Sequence, residues 1–392
     1  MSNAPENQSW VPVVSKTGKP LMPSSPRRAR KLLEKGKAVK RWCRGFFYIK
    51  LTEREDGDTQ EVAIGIDPGS MREGYTVMSV KRTFLNINAH ATNGKGIKKS
   101  MEGRSNARRT RRFRKTPCRQ PRWSNRKRPE GWLPPSTKAR WQIKLNILKA
   151  LSRLYPISKV AVEDVNTELK KDEKRRNGNF SPVQAGKNWL YDNISKMGYE
   201  LVTYTGRETF GERNRLNLPK NPNKLSNDFS AHCVDSWVLA NKALKHPHSC
   251  PEMREVMVLK PLLIKRRQLH KFNPQKGGRR PREGGTMSEG FKRGTLIFHT
   301  THGKTYLGGN DGKGRISLHD YATGKRLAQN VKLEDCRIVA HSSWTVNYAK
   351  PKLPKELRVV HSKHRLCNIL VKYVTPNPRV LLELKQPATK VA

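Results

Sequence analysis

Residues 62–70 read Val-Ala-Ile-Gly-Ile-Asp-Pro-Gly-Ser, and this stretch constrains the chain more than any other. Val62, Ala63, Ile64 and Ile66 make an apolar run long enough for one buried strand. Asp67 ends the run, and Pro68-Gly69 stops the strand and turns the chain. A carboxylate is thereby held at the mouth of a buried strand. Residues 74–80 read as the returning strand of a hairpin, with a third strand expected over 84–89. Taken alone, a strand ending in aspartate fits a structural turn as well as it fits a catalytic acid.

Two further acids stand in comparable positions. Residues 159–164, Lys-Val-Ala-Val-Glu-Asp, are a second short apolar run ending in acid at Glu163. A helix expected over 228–244 carries His232 and Asp235 three residues apart, on one helical face. Between them lie a helix over 136–154, with Trp141, Leu145, Leu148 and Leu151 as its apolar stripe, a helix over 184–197 and a strand over 199–204. This order suits an α/β fold with a ribonuclease-H-like mixed sheet. Asp67, Glu163 and Asp235 are the hard oxygen ligands that two Mg²⁺ ions roughly 4 Å apart require in phosphodiester hydrolysis. His232 is placed to take a proton from the attacking water.

The net charge of +48 points to a polyanionic partner, because so many like charges repel one another unless phosphates are near. The charge is concentrated in three modules. A helix over 26–35, capped by Ser24 or Ser25, carries Arg27, Arg28, Arg30 and Lys31. The stretch 95–128 holds Arg104, Arg108, Arg109, Arg111, Arg112, Arg114 and Lys115, several at helical spacing; it would be stabilised by nucleic acid rather than by burial. A third run includes Arg266, Arg267, Arg279 and Arg280. Beyond it, short strands alternate with Gly-containing turns from 295 to 349, the pattern of a small antiparallel barrel. No apolar run is long enough for a bilayer, no secretory signal is visible, and the six cysteines include no C-x-x-C pair. A reduced, cytoplasmic compartment is expected, with neither a zinc ribbon nor a disulfide framework.

These motifs carry a family resemblance. Residues 62–70, 160–165 and 231–240 resemble the three RuvC nuclease motifs, and the Arg-rich stretch resembles the bridge helix of transposon-encoded RNA-guided nucleases. Pro20-Leu21-Met22-Pro23 spells the signature of the N-terminal PLMP domain of the IscB group, and residues 265–280 are similar to another segment of that group. The stretch 165–230 is too short for the HNH insertion of IscB and has no His-Asn-His constellation, which resembles the HNH-lacking IsrB branch. The resemblance implies a prokaryotic, monomeric ribonucleoprotein with a long guide RNA, the ωRNA. It would nick the non-target strand of double-stranded DNA beside a short motif, using two Mg²⁺ ions.

The resulting division is a PLMP domain at 1–55, RuvC part I at 56–92, the bridge helix and linker at 93–130, RuvC parts II and III at 131–250, and a motif-reading domain at 251–392. Two other readings stay open: a guide-independent, structure-selective nuclease on the same carboxylates, and a non-catalytic RNA-binding protein whose acids are turn residues.

Overall fold

Alternation along β5 (Val62–Asp67) sets the layers of the protein. Successive side chains of a strand point to opposite faces. Val62, Ile64 and Ile66 join one apolar cluster with Trp141, Leu145, Leu148, Leu190 and Ile194. Ala63 joins a second cluster with Val234, Trp237 and Val238. The strand is buried along its whole length, so a continuous apolar run is its correct signature. The computed structural model describes residues 10–90, 102, 103, 105–110, 113, 132–164, 182–262, 277, 287–311, 313–321, 323–342 and 344–349.

The N-terminal module comprises β1 (Val11–Val14), β2 (Pro20–Ser24), α1 (Pro26–Glu34), β3 (Ala38–Cys43) and β4 (Phe46–Leu51), in the sheet order β2-β1-β4-β3. Ser25 caps α1 by accepting from the Arg28 amide, with Pro26 in the first turn. The apolar side of α1 is narrow: Ala29 is buried and Leu32 and Leu33 pack on the module core.

Among the described residues the central sheet has seven strands. β5, β6 (Arg72–Ser79) and β7 (Thr83–His90) form an antiparallel meander. β8 (Lys159–Asp164) and β9 (Glu200–Thr205) add in parallel beyond β5. On the other side β10 (Met257–Pro261) pairs in parallel with β7. Helices α2 (Pro135–Leu151) and α3 (Pro182–Ser195) contribute Leu145, Leu148, Leu190 and Ile194 to the first cluster. Helices α4 (Gly206–Arg215) and α5 (Cys233–Ala243) follow β9 in the chain, and α5 covers the other face. Every residue of α5 except Lys242 is buried. The meander with two parallel additions is the mixed order expected of a ribonuclease-H-like sheet.

α5 lies unusually close to the sheet, and two glycines permit it. A Cβ on Gly65 would stand 1.9 Å from the Ser236 carbonyl oxygen, and one on Gly74 would stand 2.3 Å from that of His232. Buried hydrogen bonds between the Thr76 and Ser236 hydroxyls (2.9 Å) and from Trp237 Nε1 to Thr83 Oγ1 (3.0 Å) fix the seating.

The C-terminal strands depart from expectation. β11 (Met287–Ser288) and β12 (Phe291–Lys292) form a short hairpin. β13 (Thr295–His299), β14 (Gly303–Asn310), β15 (Arg315–Asp320), β16 (Arg326–Lys332) and β17 (Cys336–His341) form an antiparallel sheet in the order β16-β15-β14-β13-β17. Among the described residues this sheet does not close into a barrel: β16 and β17 are its two edges. Its core is small, centred on Ile297, Leu307, Ile316 and Leu318. The last strand among the described residues, β18 (Trp344–Tyr348), leaves that sheet and pairs with β10 at the edge of the central one. Trp344, 4% exposed, joins the first apolar cluster and meets Phe46 edge to face.

Candidate active site

Strand periodicity brings the acids together. Asp67 shares the parity of Ala63 and Gly65, so it projects toward α5. On β8, Val160 and Val162 face the first cluster and Ala161 the second, so Glu163 also projects toward α5. The register pairing Ile66 with Val162 sets Asp67 beside Glu163, and Asp235 lies in the first turn of α5 above them.

The turn after Asp67 is tight: the Gly69 amide donates to the Asp67 carbonyl at 3.1 Å. A Cβ on Gly69 would stand 1.6 Å from the Arg72 carbonyl oxygen, so this position accepts only glycine.

Asp67 is 8% exposed and Asp235 1%. Glu163 shares a side-chain hydrogen bond with Asp67; burial first, and then the charges of Asp67 and Asp235, hold its carboxyl well above the ordinary range. The three acids therefore repel one another.

The surrounding cations answer that repulsion. Arg213 Nη1 donates to Asp235 Oδ1 at 2.6 Å, and Lys220 pairs with Asp235 Oδ2. His232 Nδ1 lies 3.1 Å from Asp67 Oδ2 and its Nε2 2.9 Å from the Lys224 carbonyl. A carbonyl can only accept, so Nε2 carries a proton. Burial opposes a second one, but the hydrogen bonds to Asp67 and Lys224 outweigh it, and the His232 pKa is raised. His232 thus bridges Asp67 and the Lys224 carbonyl. It is also the N-cap residue preceding α5, rather than part of a helix begun at 228.

Behind this layer, on the opposite face, lie a buried ion pair and a half-buried one. Lys144 of α2 pairs with Glu73 and approaches the Gly69 carbonyl at 3.4 Å, while Tyr75 donates to Glu73 at 2.6 Å. Lys187 pairs with Asp164 at 2.5 Å, and Tyr191 donates to Asp164 at 3.1 Å. These contacts brace the turn after β5 and the end of β8, the two places that present Asp67 and Glu163.

Arg213, Lys220, Lys144 and Glu73 have no counterpart among the residues singled out from the sequence. Two signals were available. Thr205 and Glu208 form a reciprocal capping box, the start signal of α4. Lys144 stands three residues after Trp141 and four before Leu148, hence on the apolar stripe of α2.

Of the expected basic residues, Arg27, Arg28, Arg30 and Lys31 are exposed on α1. Arg108 and Arg109 are helical and exposed, as are the other described residues of 105–110. Arg104, Arg111, Arg112, Arg114, Lys115, Arg266, Arg267, Arg279 and Arg280 lie outside the described residues.

The donor chemistry of Asp67, Glu163 and Asp235 fits a hard divalent cation, since carboxylate oxygens are the ligands such ions prefer. The arrangement itself does not yet form a ligand set: among the described residues, no group of three or more His, Cys, Asp or Glu side chains is disposed to hold an ion. Both Asp235 oxygens are engaged, Oδ1 by Arg213 and Oδ2 by Lys220.

Residues 11–182 match the family model of the RRXRR protein. The pattern in that name is spelled by Arg108-Arg109-Thr110-Arg111-Arg112, inside the matched region. Among curated proteins no match is found. Similar solved structures include Thermus thermophilus RuvC in complex with Holliday junction substrate, at 14% identity and TM-score 0.26, covering 48% of this chain and 98% of that one. A second T. thermophilus RuvC structure gives 16% identity and TM-score 0.24, covering 46% and 90%. The yeast mitochondrial Holliday junction resolvase Ydc2 gives 13% and 0.25, covering 48% and 79%.

Proposed function

We propose that this chain is a divalent-metal-dependent nuclease of the IsrB kind, loaded with a structured guide RNA and nicking the displaced strand of a complementary DNA. The observation that carries the hydrolytic reading is the meeting of Asp67, Glu163 and Asp235 on the α5 face of the central sheet, at the ends of two adjacent parallel strands. Those three carboxylates would hold the metal, and Mg²⁺ bound there supplies activation of water and neutralisation of the leaving oxygen. The protein's own part is positional. The Gly69 turn and Lys144 fix Asp67 from below, His232 Nδ1 contacts Asp67 Oδ2, and Arg213 fixes Asp235.

Guidance by RNA is supported by the charge of +48, by the exposed arginines of α1 and of residues 105–110, and by the motif resemblance. In an R-loop the target strand is paired with RNA and the displaced strand is single, which suits one carboxylate set acting on the displaced strand.

The test uses the full chain co-expressed with its RNA and a supercoiled plasmid carrying a matched target, each strand end-labelled. One long structured RNA should co-purify. Mg²⁺-dependent open-circle product should appear, with label lost from the non-target strand only. Asp67→Asn, Glu163→Gln and Asp235→Asn should each abolish nicking with RNA retained. Cleavage independent of guide complementarity would instead establish a structure-selective nuclease. Random cellular RNA with no cleavage would establish a binding protein.

A further inference from the structure

The two cations on Asp235 are built differently. Arg213 belongs to α4, its side chain is 10% exposed, and its guanidinium lies 5.3 Å from the Phe210 ring centroid. It is a fixed, planar partner. Lys220 sits on the connection between α4 and α5, between Pro219 and Asn221-Pro222, and its side chain is 38% exposed. Its ammonium is a point charge on a flexible stem that reaches in from solvent.

The backbone around Lys220 is pinned. The Leu218 amide donates to the Arg213 carbonyl at 3.0 Å and the Asn221 amide to the Ser230 carbonyl at 2.9 Å. Asn88 Nδ2 donates to the Ser226 carbonyl at 3.0 Å, and Arg72 to the Leu225 carbonyl at 3.3 Å. Withdrawal of Lys220 from Asp235 therefore needs only side-chain rotation. The atom this rotation would free is Asp235 Oδ2, on a side chain that is itself 2% exposed. A cation entering beside Asp67 and Glu163 must take that oxygen to gain its third carboxylate.

We infer that Lys220 is a resident counter-cation: it neutralises Asp235 when no metal is bound, swings out when a divalent ion binds, and so sets the ion concentration at which the site assembles. The inference rests on the metal-dependent reading of this site. It explains why three suitable carboxylates converge without forming a ligand set. It also couples the ion to the substrate. Once displaced, the Lys220 ammonium stands at the mouth of the site, where a phosphodiester offers it a new partner. Nucleic acid then favours ion binding, and by linkage the ion favours nucleic acid.

The test is Mn²⁺ binding to the full chain freed of nucleic acid, read by electron paramagnetic resonance. Lys220→Met removes the competitor and should tighten Mn²⁺ binding by about tenfold, the equivalent of about 1.4 kcal/mol. Lys220→Arg, which keeps the charge, should stay within about threefold of the parent protein, and Asp235→Asn should abolish the site. Unchanged or weaker binding in Lys220→Met, with the site still lost in Asp235→Asn, would overturn the counter-cation while leaving the metal site intact. Binding indifferent to Asp235→Asn would overturn the metal reading itself. A second measurement needs no Lys220 variant. In the parent protein, acylation of the Lys220 amine, quantified by mass spectrometry, should rise several-fold when Mg²⁺ replaces EDTA. In Asp235→Asn it should be high in both. Equal labelling of the parent protein in both conditions would also overturn the proposal.

Discussion

Gly65→Ala is a one-methyl test of how the site is assembled. Gly65 lies on β5 between the two isoleucines of the first cluster, with its bare Cα against the backbone of α5. An added Cβ would stand 1.9 Å from the Ser236 carbonyl oxygen and 2.9 Å from the Ala240 amide nitrogen, where ordinary contact begins at 3.4 Å. The helix backbone must therefore retreat by about 1.5 Å, the difference between 3.4 and 1.9 Å. Neither side yields easily, because the obstruction is backbone and the rest of α5 is packed through Val234, Trp237 and Val238. Overpacking of a well-filled core costs about 1–3 kcal/mol, and a backbone obstruction belongs at the upper end, about 3 kcal/mol. The same displacement carries Asp235 away from Asp67 and Glu163. A misplacement of about 1 Å typically costs about 10²-fold in rate. The assays are chemical denaturation followed by tryptophan fluorescence and Mg²⁺-dependent cleavage of a matched plasmid. Gly198→Ala is the control: its φ of +78° strains any side chain, but nothing lies within 4 Å of its Cβ. It should lose about 1 kcal/mol and no activity. A Gly65→Ala protein within about 1 kcal/mol and threefold in rate of the parent would refute the seating of α5 on β5.

Lys144→Met leaves Glu73 charged, buried and paired only with Tyr75, and should cost about 3–5 kcal/mol, partly recovered in the Lys144→Met/Glu73→Gln double variant; equal stability of the single variant in denaturant titration would show the pair to be dispensable. Burial, and then the charges of Arg72 and Lys260, depress the His90 pKa to about 3 from 6.5. The unfolded chain therefore takes up this proton first as pH falls. Stability should decline from about pH 6.5 toward 3, and His90→Gln should flatten that part of a Tm-against-pH curve without changing it above pH 7. Replacing Arg27, Arg28, Arg30 and Lys31 together by Ala should reduce the slope of log affinity against log salt, by about 0.7 for each lost single-strand phosphate contact. An unchanged slope would place the nucleic acid elsewhere.

The carboxylates were legible because each closes a short apolar run, and a buried strand has few other ways to write itself. Val62 to Ile66 and Val160 to Val162 needed no long-range information. What the sequence could not display is who partners whom across the fold. Arg213 and Lys220 look like ordinary surface cations in a polar segment, and only the packing of α4 beside α5 turns them onto Asp235. His232 read as a base on a helix face; the structure places it at the N-cap, between Asp67 and the Lys224 carbonyl. The C-terminal strands alternated as a barrel would, within the range expected. Local periodicity says nothing of strand partners, so neither the open edges at β16 and β17 nor the departure of β18 could be seen.

That departure has a consequence for biosynthesis. Synthesis proceeds from the N-terminus, so β10 is made and paired on its β7 side long before β18 leaves the ribosome. Through that interval Met257, Val258 and Leu259 stand on a strand whose other edge offers unsatisfied backbone groups to any passing chain. Trp344, which closes the edge and meets Phe46, arrives only near the end of the described residues. Shortened versions ending between 262 and 343 keep every carboxylate of the site, yet they should fail first by edge-to-edge aggregation. The yield of soluble protein will thus report on the last strand before any assay reports on the first.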